Sequence, residues 1–197
     1  MKTWEQFYDY YLRDLPGCSS FAAENELRKA AQDFCQRSLI WRVTMDTMTL
    51  TTADTYDFDI TSQQEVAKLL SARLNGQKID PLTMEQLDDE ERGICAISPR
   101  EFQLSPSPSA GDELILKVAL YPSATATGVE DFIYAAHAES IAYGAKARLR
   151  MIQGKQYSNP DQAATDEARF ERAISKAHMS AAKGYSRAPM RTKASFF

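Results

Sequence analysis

Residues 127–184 read TGVEDFIYAAHAESIAYGAKARLRMIQGKQYSNPDQAATDEARFERAISKAHMSAAKG, and they spell a helical hairpin with every end marked. Thr127-Gly128-Val129-Glu130 has the form of a capping box, with Thr127 as N-cap and Glu130 reaching back. Gly154 stands where a C′ glycine closes a helix. Asn159-Pro160-Asp161-Gln162 opens a second helix, with Asn as N-cap and Pro at the first helical position, and Gly184 closes it. The first helix, Glu130 to Ile152, would be about 34 Å long at a rise of 1.5 Å per residue. Its apolar stripe is Tyr134, Ala138, Ile141, Ala145, Leu149 and Ile152, in steps of three and four, as a bundle seam requires. The returning helix presents Ala163, Phe170, Ala173, Ile174, Ala177 and Ala181. Alanine-rich faces bury little area, so this hairpin needs partners from the rest of the chain or from a neighbouring subunit. Tyr134, Ala138, Ile141, Ala145, Leu149, Phe170 and Ile174 are the expected inter-helix or inter-subunit packing residues.

After Glu171 the only charged residues are Arg172, Lys176, Lys183, Arg187, Arg191 and Lys193, and the text closes on Phe196-Phe197. A basic, acid-free segment with two phenylalanines reads either as a disordered end or as an arm that docks on a neighbour and orders there.

Upstream, Thr3-Trp4-Glu5-Gln6 reads as another capping box. Trp4, Phe7, Tyr8, Tyr11 and Leu12 follow as an aromatic helical stripe that ends at Leu15-Pro16-Gly17. Ser19 or Ser20 caps a second helix whose buried face is Ala23, Leu27, Ala30, Ala31, Phe34 and Leu39. At Ile40-Trp41 the period changes to two. Trp41, Val43 and Met45 alternate with polar residues, as do the residues from Tyr56 to Ile60. Leu70, Ala72 and Leu74 run into Asn75-Gly76, the strongest short hairpin signal, with Lys78 and Ile79 returning. Thr83-Met84-Glu85-Gln86 caps a short acidic helix to Arg92. Glu101 to Leu104 and Leu114 to Tyr121 read as strands.

The expected fold is α+β. A helical bundle is formed from the N-terminal helix pair and the C-terminal hairpin (1–39 and 127–184). A small antiparallel β region (40–126) is inserted, and an extended arm (185–197) follows.

The chain has 197 residues, 44% of them hydrophobic and 25% charged, with a net charge of −4. A chain this long buries about 70% of its unfolded surface. A general nucleic-acid binder would be basic. No apolar stretch approaches the roughly 20 residues that span a bilayer, and the opening residues lack a secretory apolar core. Cys18, Cys35 and Cys95 are odd in number and form no CxxC, which points away from disulfides and zinc. His137 and His178 have no carboxylate or cysteine at ligand spacing, so both read as structural histidines. No nucleophile elbow, P-loop or dinucleotide fingerprint occurs. Asp54, Asp57 and Asp59 form a mild acidic cluster without the glycine and closing glutamate of a calcium loop. It reads as a solvated strand face, with metal-dependent catalysis as the competing idea. The run Asp88 to Glu91 reads as an exposed helix face. No cofactor, metal or catalytic residue is expected.

The hairpin text Ala138-Glu139-Ser140-Ile141-Ala142-Tyr143-Gly144-Ala145-Lys146-Ala147-Arg148-Leu149 runs into Gly154-Lys155-Gln156-Tyr157-Ser158-Asn159-Pro160. Ala163, Phe170 and the Arg-rich terminus follow. With the Trp4-to-Trp41 opening, this resembles the head-to-tail adaptor proteins of short-tailed bacteriophages, the tail tubular A-like group, and related prophage proteins. The resemblance implies a structural virion protein at the head–tail junction, made in the host cytoplasm. It implies a dodecameric ring beneath the portal that continues the DNA channel, and a β part facing a tail tube or nozzle protein. It also implies a C-terminal arm clasping the portal, with Arg187, Arg191, Lys193, Phe196 and Phe197 placed in it. DNA would slide through without sequence-specific binding, and no membrane would be involved. The alternative is a nucleic-acid-binding module that uses Arg172 to Lys193, with Tyr185 for stacking.

Overall fold

A computed structural model describes residues 1–89 and 91–184. Strand β1 (Lys2–Thr3) leads into a 3₁₀ turn at Trp4–Phe7, helix α1 (Tyr8–Tyr11) and a second 3₁₀ turn at Leu12–Asp14. Helix α2 (Ser20–Ser38) precedes β2 (Arg42–Thr44), β3 (Met48–Thr49), β4 (Thr55–Asp57), β5 (Gln64–Leu74) and β6 (Gln77–Ile79). Helix α3 (Met84–Asp88) is followed by β7 (Gly93–Ala96), β8 (Glu101–Ser105), β9 (Glu113–Pro122) and β10 (Gly128–Val129). Helices α4 (Asp131–Arg150) and α5 (Pro160–Lys183) form the hairpin.

Local chemistry sets most of these ends. The Ser19 hydroxyl accepts the Ala22 N–H, and α2 stops at Leu39, whose φ of 52° is left-handed. Thr83 and Gln86 make a complete reciprocal capping box on α3. Asn159 accepts from the Gln162 N–H with Pro160 at the first turn, and Gly184 ends α5 at φ 62°. Asn75 and Gly76 both have positive φ (50° and 79°), as the tight β5–β6 hairpin demands.

All pairings between these strands are antiparallel, and one isolated bridge, Pro81 to Ile94, is parallel. One sheet runs β2-β9-β5-β6 with β3 also on β9; a second runs β4-β8-β7; β1 and β10 pair alone. The first two sheets meet at a corner, where Ile94 donates to the Asp80 carbonyl and Leu82 donates to the Ile94 carbonyl. Leu69, Ala72, Leu114 and Leu116 of the first sheet and Ile94 and Phe102 of the second are buried in one cluster. Helix α2 packs on β9, and α2, α4 and α5 pack on one another. One continuous apolar cluster joins Trp4, Leu27 and Phe34 of the helical layer to Val118, Leu116 and Phe102 of the sheets.

This overturns the picture of a helical bundle with a small β insertion. Helix accounts for 43% and strand for about 25% of the described residues, in five helices and three antiparallel sheets. The β part shares the core of the helices, so neither layer is appended to the other. The missed strands explain the misjudged size. Residues 64–69 of β5 lack alternation because the strand changes register against β9 twice, between Val66 and Lys68 and between Leu69 and Ser71. Gly93–Ala96 is a four-residue strand, too short for a period to show.

Two capping boxes also fail. Thr3 makes no side-chain cap bond, and neither does Glu130, the residue preceding α4. Instead Thr3 pairs with Gly128 and Lys2 with Val129. A Cβ on Gly128 would lie 1.9 Å from the Lys2 carbonyl oxygen, so the glycine serves strand approach. Helix α4 ends at Arg150, and Gly154 (φ 73°) belongs to the turn beyond it.

Candidate functional site

The hairpin is tied to the body by its alanine stripe. Ala138, Ile141, Ala145 and Leu149 of α4 and Phe170 and Ile174 of α5 are buried within the chain. Tyr134 is half-buried. Its hydroxyl donates to the Gln6 carbonyl at 2.8 Å and its ring meets Phe7 edge-on at 5.0 Å. Gly144 lies under the Phe170 ring, which a Cβ would meet at 2.8 Å.

Charged groups lock the same region. Arg150 (8% exposed) pairs with Asp166 (1% exposed) across the hairpin. Lys146 reaches Asp14 at 2.8 Å and holds that carboxyl below its usual range. Arg37 of α2 grips Glu171 of α5 with two bonds of 2.6 and 2.5 Å, which lowers the Glu171 pKa. Sequence reading missed the buried pair. Its signal was visible: Asp166 falls on the stripe between Ala163 and Phe170, where a charge needs a partner.

Where α2 ends, the first half of α4 and the last turn of α5 leave a groove of about 580 Å³. Its lining includes Ile40, Arg42, Phe132, Ala136, His137 and Ala181, with no carboxylate among the described residues. Phe132 is 46% exposed. His137 rests against the Phe34 ring at 5.0 Å; burial and then Lys176 lower its pKa. Arg42 donates Nε–H to the Leu39 carbonyl and forms no ion pair with any described residue.

Asp54, Asp57 and Asp59 are all exposed. Among the described residues no group of three or more His, Cys, Asp or Glu is placed to hold a metal. No helix among them is long and apolar enough to cross a membrane. Asp88, Asp89 and Glu91 are exposed at and just after α3. Arg187, Arg191, Lys193, Phe196 and Phe197, and Tyr185 with them, lie outside the described residues. The geometry thus offers packing faces and a groove, with charge used to fasten helices.

The family model described as SU10 adaptor protein matches residues 9–193. The chain belongs to the SU10 adaptor protein family. This is a phage head–tail adaptor family, in agreement with the resemblance drawn from the hairpin text. No individual curated protein matches the sequence. As an SU10 adaptor the protein is a structural component of the virion, and the family is structural rather than enzymatic. The match takes in the N-terminal helices, all but one of the strands and both helices of the hairpin. Packing faces and fastened helices are what an adaptor needs, since its work is to present fixed surfaces to neighbours.

Proposed function

We propose that this adaptor forms a ring, twelve copies by the family resemblance, beneath the portal, continuing the DNA channel toward a tail tube or nozzle protein without catalysing any reaction. The observation that carries the reading is the family match over residues 9–193. The helical part (1–39 and 127–184) makes the ring, the β part (40–126) faces the tail, and the segment 185–197 docks on the portal through Arg187, Arg191, Lys193, Phe196 and Phe197. Tyr134, Ala138, Ile141, Ala145, Leu149, Phe170 and Ile174 hold each subunit's helical layer rigid for that contact. The net charge of −4 supports a conduit that DNA slides through, because each fixed cation on phosphate adds a salt-dependent tether.

Electron microscopy of tailless heads incubated with the full chain tests the reading. The expected result is an added ring at the portal vertex, and its loss when residues 185–197 are removed while the circular dichroism of the body is unchanged. Undiminished docking by the truncated chain would remove the arm from the account. Tight, steeply salt-dependent binding of free DNA by the isolated protein would favour a nucleic-acid-binding module instead.

A further inference from the structure

The groove beside Arg42 and the short helix α3 are complementary in chemistry and adjoin opposite edges of one sheet. The sheet order β2-β9-β5-β6 puts β2, which contains the groove's Arg42, at one edge. Helix α3 follows β6 at the other edge, at the corner where the two sheets meet. Three strand spacings, about 14 Å, separate those edges before the side chains are counted.

The groove offers apolar walls (Ile40, Phe132, Ala136, Ala181) with Arg42 among them. Lys176 stands one turn before Ser180 of the lining, on the same face of α5. Helix α3 offers the reverse pattern. Met84 is 52% exposed at its start, its sulfur accepting from the Cys95 thiol at 3.6 Å, and Glu85, Asp88 and the C-cap Asp89 are exposed along the same helix. Those three carboxylates form no ion pair with any described residue, and neither does Lys176.

We propose that the groove is the receiving half of the contact between copies, and that its occupant is α3 of the neighbouring copy. The Met84 side chain enters between Phe132 and Ile40, and Glu85 and Asp88 come to the cations of Arg42 and Lys176. A flexible thioether fills an irregular apolar groove without an exact shape match. The flanking charges set register and exclude the reversed orientation more than they add affinity. Donor and receiver are different surfaces at opposite edges of that sheet, so the contact is heterologous and repeats from copy to copy until it closes. This contact rests on the ring reading above, gives that ring a specific seam, and brings α3, Ile40 and Arg42 of the β part into ring formation beside the helical part.

The test uses the full chain, assembled on tailless heads and, separately, concentrated in solution, with multimers followed by mass measurement and electron microscopy. Phe132→Ser, at a half-exposed position the fold tolerates, weakens assembly about tenfold or more, as loss of a central apolar anchor does. The double reversal Arg42→Glu/Lys176→Glu weakens it several-fold, as does Glu85→Lys/Asp88→Lys, and all four changes in one chain restore it. Rings that persist unchanged in Phe132→Ser or in either reversal overturn this seam and leave the ring reading standing. Failure of the unmodified chain to form any multimer, on heads or in solution, sinks the ring reading and the seam together. If removal of 185–197 alone abolishes association between copies in solution, away from any portal, that segment is the groove's occupant and the assignment of α3 is wrong.

Discussion

Gly144 of α4 and Phe170 of α5 share one volume: the space a Cβ would fill on Gly144 lies 2.8–2.9 Å from three atoms of the Phe170 ring. Phe170 is fully buried and tilted against Phe34 at 6.2 Å, so a shift of its ring disturbs the core. The glycine lets the two hairpin helices approach within the reach of an aromatic ring.

Gly144→Ala therefore sets two effects against each other. Alanine gains about 1 kcal/mol of helix propensity over glycine. Overpacking a buried contact costs about 1–3 kcal/mol. With a fully buried ring occupying the space, overpacking wins, and the variant unfolds at lower denaturant than the parent. Adding Phe170→Leu makes room and recovers part of the loss. A Gly144→Ala variant as stable as the parent would mean that the ring moves freely.

The pair Arg150–Asp166 holds the far end of the same hairpin, buried on both sides. Removing one partner strands the other charge, so Asp166→Ala costs about 3–5 kcal/mol by denaturant titration. The remaining bond of the stranded Arg150, to the Asp14 carbonyl at 3.4 Å, is too weak to compensate. Arg150→Met/Asp166→Leu removes both charges and recovers most of the stability. Equal losses in single and double variants would show that packing rather than charge matters there.

These contacts bear on how much the sequence disclosed. The hairpin, its Asn159-Pro160 start, the α2 face and the Asn75-Gly76 turn were readable because short-range rules govern them. Arg150 and Asp166 stand 16 residues apart on two helices, and their pairing depends on the hairpin crossing, which no local pattern contains. Thr127 and Glu130 satisfy a capping pattern, yet tertiary strand pairing through Gly128 overrode it. The groove escaped notice because its walls come from three separated segments, each unremarkable alone. Phe132 stood off the seam and Ile40 at a boundary, so neither marked a surface.

Asn75 joins two loops. Its Nδ2 donates to Asp112 at 2.8 Å, and its Oδ1 accepts the Glu113 N–H at 2.9 Å. Its φ is 50°, a left-handed conformation that asparagine tolerates and alanine resists. Asn75→Ala loses both the conformation and the bonds, a cost of about 1–2 kcal/mol. Asn75→Gly keeps the conformation and loses only the bonds, so its denaturation midpoint falls between those of the parent and the alanine variant. A glycine variant as unstable as the alanine variant would assign the whole effect to the loop bonds.

Acid should destabilise the fold in two separate stages. Burial, and then Lys176, hold His137 below its ordinary value of 6.5. The unfolded chain therefore takes up a proton that the folded chain resists, and stability falls as pH drops through the window just below 6.5. The carboxyls of Asp14 and Glu171 are also held low, the first mainly by its bond from Lys146 and the second mainly by its bond from Arg37. Their ordinary values are 3.8 and 4.5. Their contribution is complete above those values and is lost as pH falls through the lower values of the folded state. Denaturation midpoints measured from pH 8 downward, a range chosen to bracket roughly the ordinary pKa values of histidine and carboxyl groups, should show a shallow decline and then a separate, more acidic one. His137→Gln removes the first decline and leaves the second. Asp14→Asn/Glu171→Gln lowers stability at neutral pH and flattens the second. High salt weakens the exposed Arg37–Glu171 pair and shrinks the second decline while sparing the first, which arises chiefly from burial. Persistence of the first decline in His137→Gln would move its origin to another group.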